Sequence, residues 1–178
     1  RAITYWSDVS AEFSSITGGL ELSWWPQLSD YTYSKTASVF TKWTEAYTES
    51  PIFDAVTYWS NAIAKNTIVP TAKLRADIAH GLDPSVTSID SEGNIKKWIQ
   101  PLHVTDYRPI RHEAVSGTGK YDESNATETL RSQWDAAIKY ADHAQFITWN
   151  DYSETAVSPS VGHGYGYLDL STYFLVKF

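Results

Sequence analysis

Gln145-Phe146-Ile147-Thr148-Trp149-Asn150-Asp151-Tyr152-Ser153-Glu154 decides how this chain is read. An apolar run over 145–149 passes directly into a polar loop that carries two carboxylates three residues apart. A short apolar run without strict alternation suits a strand covered on both faces, as in a parallel sheet. Just before it, 128–140 reads as a helix. Leu130, Trp134, Ala137, Ile138 and Ala141 recur there at three- and four-residue spacing. Glu128 suits the positive end of that helix, and Asn125 or Thr127 is placed to cap it.

Outward from this pair, further apolar runs predict strands over 3–6, 20–25, 53–59 and 98–104. Helices are expected over 36–47, over 71–80 with Gly81 and Pro84 closing it, and over 168–178. Strands alternating with helices argue for βαβ units and a parallel sheet, roughly four or five units in all. A closed eight-stranded barrel takes about 250 residues. The chain has 178, so the pattern fits either an open α/β sheet or part of a barrel. The segments 83–94 and 114–126 read as loops, and no internal repeat is present.

Composition narrows the function classes. Apolar residues make up 42% and charged residues 20%, the balance of a folded globular chain. Net charge is −7, which disfavours nucleic acid and anionic membrane as partners. Eight Trp and twelve Tyr exceed what a small core requires. Their rings either stack on sugar or fill a core or interface. There is no Cys, hence no disulfide and no thiolate metal site. There is also no Met, and the chain starts at Arg1, so it reads as a processed or partial product.

Two carboxylates beyond the carboxyl end of a strand sit where βα folds hold their active sites. They can act as proton donor and proton acceptor, which glycoside hydrolysis needs. The same residues have a structural reading, with Asp151 or Ser153 capping a helix that ends in the loop.

The run Thr148-Trp149-Asn150-Asp151-Tyr152-Ser153-Glu154 resembles the signature of glycoside hydrolase family 71, the α-1,3-glucanases. Other segments follow in the family's order. They are Trp98-Ile99-Gln100-Pro101 with Asp106-Tyr107-Arg108-Pro109, then Thr127-Glu128-Thr129-Leu130-Arg131 with Trp134-Asp135-Ala136-Ala137-Ile138. Pro159-Ser160, His163-Gly164 and Leu168-Asp169-Leu170 close the series. The likeness covers about residues 95 to 178 and is looser over 53–60.

The resemblance implies the C-terminal portion of a (β/α)8 TIM barrel that hydrolyses α-1,3-glucan with inversion, without metal or cofactor. Glu154 is expected as general acid and Asp151 as general base. A further acidic residue of the family would lie outside this chain. An N-terminal part of the barrel, or a second polypeptide, is expected to complete it, because a partial barrel exposes strand edges. Trp149, Asn150, Gln100, His103, Trp59 and Trp25 are the expected glucan contacts, whereas Trp43 and Trp134 belong to helix faces and a core. The expected location is extracellular or in a cell wall. Asn125-Ala126-Thr127 is a sequon that would carry N-glycan there. The alternative is a non-catalytic glucan-binding or structural protein derived from the same barrel.

Other motifs point elsewhere only weakly. Gly117-Thr118-Gly119-Lys120 lacks the first glycine of a phosphate loop and is followed by Tyr121. The five His residues show no metal-ligand spacing, and residues 90–94 read as a turn, not a calcium loop. No Gly-x-Ser-x-Gly elbow supports esterase chemistry.

Overall fold

The computed structural model describes residues 2–25, 27–28, 54–58, 68–83, 92–104, 106–108, 120–122, 125–152 and 156–178. The fold is mixed α/β. In chain order the described elements are α1 (Ala2–Thr17), β1 (Gln27–Leu28), β2 (Ala55–Tyr58), α2 (Ile68–Ala79), β3 (Lys97–Leu102), β4 (Asp106–Arg108), β5 (Lys120–Asp122), α3 (Glu128–Tyr140), β6 (His143–Phe146) and α4 (Gly166–Leu175). The chain divides into two compact units, Arg1–Thr57 with Arg75–Trp98, and Tyr58–Leu74 with Ile99–Phe178. The expected helix over 36–47, together with Trp43, Trp59, Ser153 and Glu154, lies outside the described residues.

In the first unit, α1 replaces the strand expected over 3–6. The four-residue run Ile3-Thr4-Tyr5-Trp6 resembles a strand only when read alone. Over four turns Ser7, Ser10, Phe13, Ser14 and Thr17 form one half-buried stripe, and that period is helical. Gly18 and Gly19 end the helix with positive φ, and the Gly19 N–H donates to Ser14 O at 2.8 Å. This six-to-one bond needs a left-handed residue just past the helix, which glycine adopts without a Cβ penalty.

The strand expected over 20–25 is absent, with only an isolated bridge at Trp24. Trp24 is tied instead by its neighbours. Its ring meets Trp6 at 4.5 Å, and its Nε1 donates to Ser10 Oγ. The Asp54 N–H donates to Trp24 O at 3.1 Å. β1 neighbours β2, which neighbours the start of β3. Trp98 is buried there with the Arg75 guanidinium 5.9 Å from its ring centre. Helix α2 ends as its sequence predicts, with Gly81 at φ 68.

The second unit holds a βαβ arrangement. β3 pairs with β6 in parallel, Ile99 facing His143 and Leu102 facing Phe146, and α3 lies between them in the chain. Between β3 and α3 the chain makes the antiparallel pair β4–β5, where the sequence suggested loop.

Helix α3 has the predicted bounds. Its buried face carries Leu130, Gln133, Trp134, Ala136 and Ala137. Trp134 is the hub of the core. Its ring stacks on Phe174 of α4 at 6.0 Å and meets Phe146 of β6 edge-on at 5.9 Å. Its Nε1 donates to Ser171 Oγ at 3.4 Å. Leu102, Val104, Leu130, Ala137 and Val157 complete the cluster.

Neither expected cap of α3 operates as a cap. Thr127 takes the N-cap position at φ 80, and no side chain caps the helix. A capping hydroxyl needs an extended N-cap backbone to reach the amides. In the left-handed region, Thr127 Oγ1 instead accepts from Arg131 Nε at 3.1 Å. Asn125 Nδ2 donates to Thr129 Oγ1 at 3.3 Å. Among the described residues, no helix is long and apolar enough to cross a membrane.

Trp134 bridges two helices and a strand, so its truncation should be costly. Trp134→Ala is expected to lose about 3–5 kcal/mol, the usual range for a buried large aromatic. Urea unfolding followed by far-ultraviolet circular dichroism measures it. A loss below about 1 kcal/mol, the level of an ordinary surface change, would contradict the role of hub.

Candidate functional site

The site is built at the carboxyl ends of β3 and β6. Because Leu102 faces Phe146, the residues that follow both strands emerge at the same end. The ladder gains one more bond there, from the Ile147 N–H to Leu102 O at 2.8 Å. His103 follows β3, and Thr148 to Tyr152 follow β6. The register thus brings His103 and the Asp151 loop to one end of the parallel pair.

Beyond β6, residues 148–149 are tied back to residues 157–158. The Val157 N–H donates to Thr148 O at 3.1 Å, and the Ser158 N–H to Trp149 O at 2.8 Å. Inside this clasp the Asp151 N–H donates to Thr148 Oγ1 at 3.1 Å. The hydroxyl three residues back replaces a backbone partner, a common serine and threonine motif. Tyr152 Oη shares a hydrogen bond with Ser158 Oγ at 2.7 Å and donates to Pro159 O at 3.1 Å. Trp149 is 55% exposed, Asn150 is exposed and Asp151 is half-buried. The peptide between Ile147 and Thr148 is cis.

Asp151 does not cap a helix. The next described helix is α4, whose N-cap is Tyr165. Among the described residues no helix begins or ends at Asp151, while Ser153 and Glu154 lie outside them.

His103 is buried, and it is held by a residue the sequence reading passed over. Its backbone N–H donates to Gln133 Oε1 at 2.6 Å, and Gln133 Nε2 is 3.4 Å from His103 Nδ1. A backbone N–H can only donate, so the first bond fixes which end of the Gln133 amide is oxygen. The other end is then an NH2 group, and His103 Nδ1 must accept from it. That assigns the proton of the neutral ring to Nε2. Gln133 lies on the buried stripe with Leu130, Trp134 and Ala137. A glutamine at that point of the helical period is the signal that could have revealed it.

The other expected contacts are differently placed. Gln100 is fully buried in β3, with its Nε2 donating to Pro101 O at 3.0 Å. Trp25 belongs to the first unit, is half exposed and donates from Nε1 to Ser23 Oγ at 2.8 Å. It precedes β1 and does not end a strand, contrary to expectation. Trp59 directly follows β2 but lies outside the described residues. Trp134 is core, as its helix face implies. Asn125 is half-buried with its amide bonded to Thr129. Lys120 begins β5, so the Gly117–Lys120 segment runs into a strand and not into the helix a phosphate loop requires. Among the described residues, no group of three His or acidic side chains could hold a metal ion.

No family model, curated protein or solved structure matches the chain.

The Gln133 amide leads to a direct measurement. The neutral His103 ring should show a hydrogen-bond-accepting Nδ1 and a protonated Nε2 in long-range proton–nitrogen correlation spectra. Gln133→Leu should destabilise the protein by about 1–3 kcal/mol, because it strands a buried N–H. A protonated Nδ1 in the native neutral ring would refute the assignment.

Proposed function

We propose that the protein is a glycoside hydrolase acting on α-1,3-glucan, in which Asp151 and Glu154 form the acid–base pair. The observation that carries the reading is the position of Asp151, on a clasped loop just beyond the carboxyl end of a strand in a parallel pair. Active sites of βα folds lie at that end. The family-71-like run 148–154 adds the identity of the chemistry.

In this reading the chain supplies later β/α units of a (β/α)8 barrel, with the remaining strands contributed from outside these 178 residues. Glu154 protonates the departing glycosidic oxygen. Asp151 takes a proton from water as it attacks the opposite face of the sugar, and the anomeric configuration inverts. The half-buried Asp151 has its backbone fixed through Thr148, so its carboxylate belongs to a positioned loop. Exposed Trp149 offers a ring face for a glucosyl unit, and Asn150 beside it offers amide hydrogen bonds to sugar hydroxyls. His103, with its Nε2 protonated, is a donor suited to a hydroxyl of the same sugar. Action within an extracellular or cell-wall glucan follows from the same reading.

The test is turnover of α-1,3-glucan by the full-length protein. Asp151→Asn and Glu154→Gln should each lower kcat by about 10²–10⁴, the usual weight of a general acid or base. Glucan binding and the melting temperature should hold, since both changes preserve side-chain shape. Proton NMR of the first products should show β-anomers. Binding without turnover in the unaltered protein would favour a glucan-binding module. Initial α-anomers would overturn inversion.

A further inference from the structure

A second site is formed by residues that take no part in the proposed hydrolysis. A cleft of about 470 Å³ is lined by Thr127, Arg131, His163, Gly166, Tyr167 and Leu170, all in the second unit. The protein carries a net charge of −7, yet no described residue lining this cleft is acidic.

Arg131 is exposed, and its side chain makes one hydrogen bond, from Nε to Thr127 Oγ1 at 3.1 Å. Among the described residues, no carboxylate pairs with it. That single bond steadies the guanidinium by its inner nitrogen and leaves both terminal nitrogens for a ligand. The anchor is set by unusual backbone. Asn125, Ala126 and Thr127 have φ of 48, 51 and 80. Positive φ is rare for a β-branched residue, and such strain collects where a chain serves a site.

The His163 ring is the second unsatisfied group. Its Nδ1 is buried without a hydrogen-bond partner among the described residues, and the ring packs against Tyr167, 4.5 Å between centres. A buried polar atom left unpaired calls for an explanation. His163 lines the cleft, so this nitrogen is a group that a ligand there would satisfy. The third donor group is the start of α4. The Gly166 N–H is used by His163 O at 3.1 Å and the Asp169 N–H by Tyr165 O at 2.9 Å. The N–H groups of Tyr167 and Leu168 have no backbone acceptor among the described residues, and no side chain caps the helix.

We propose that this cleft binds a phosphate group, carried as a monoester or free. Arg131 would engage two oxygens in the fork geometry that guanidinium offers to phosphate. The α4 amides and His163 approach from other directions, and a tetrahedral oxyanion has the spare oxygens to meet them. A carboxylate has only two oxygens, and the guanidinium would use both. The cleft exceeds a bare phosphate in size, so Tyr167 and Leu170 cover the organic part of an ester. The inference does not rest on the glucanase reading.

The test is a titration of the ¹⁵N-labelled protein with inorganic phosphate, phenyl phosphate and acetate at constant ionic strength. Saturable shifts are expected at Arg131 Nε–H and at the Tyr167 and Leu168 amides, with phenyl phosphate tighter than phosphate and acetate weakest. Arg131→Gln should weaken phosphate binding by about tenfold, a charge-assisted pair lost, and His163→Gln by a smaller factor, both with an otherwise native spectrum. Lys177→Gln, at the far end of α4, should leave binding unchanged. Absence of saturable shifts up to the low-millimolar range would overturn the proposal. So would equal affinity in Arg131→Gln, or equal weakening by Lys177→Gln. Acetate binding as tightly as phosphate would overturn the choice of ligand.

Discussion

The second unit depends on the burial of one indole. Trp134 is fully buried and touches α4 through Phe174 and Ser171 and β6 through Phe146. Area burial accounts for most of its weight, and edge-on and stacked ring pairs add about 0.5–1.5 kcal/mol each. The geometric consequence matters as much. Holding α3 against the end of β6 keeps the next residue on α3, Gln133, against the residue after β3, His103. The hydrophobic hub therefore sets the polar clamp, and the clamp holds the residue that follows β3.

That clamp is one of several ties at the carboxyl end of the parallel pair. A strand that stops leaves N–H and C=O groups that must find partners. After β3 the His103 N–H finds Gln133, and Leu102 O finds Ile147. After β6 the carbonyls of Thr148 and Trp149 find Val157 and Ser158. Each strand end is thus tied by a side chain or by a returning segment. A loop with its main-chain groups paired can carry an exposed tryptophan and a half-buried carboxylate without fraying.

Much of this was legible in the sequence, and the exceptions have physical reasons. The bounds of α3 followed from apolar spacing, because one continuous buried face was available to read. β2, β3, β6, α2 and α4 were legible as runs, with ends displaced by a few residues. The strand expected over 3–6 failed because a four-residue run carries no period, and the helical stripe appears only once Phe13 and Thr17 are included. The cap of α3 failed for another reason. Asn and Thr favour caps through extended backbone, and nothing in their identities announces three successive positive φ values. The placement of Asp151 was legible, in a loop after an apolar strand. Gln133 was visible as a polar break in an apolar stripe but has no motif of its own.

The two ends of α3 and its middle show how one helix can serve two purposes. Its buried stripe, Leu130 to Ala137, faces the core and fixes Gln133 toward the β3 end. Its start differs: three residues of positive φ precede it, no side chain caps it, and exposed Arg131 is anchored to Thr127. A stabilising sequence would place an extended Ser or Asp at the N-cap and gain about 1 kcal/mol. Here the hydroxyl goes to Arg131 and the helix amides forgo it. A fold keeps such an arrangement when the loss is offset elsewhere. Packing of Trp134, one turn further along α3, supplies stability beside that helix start.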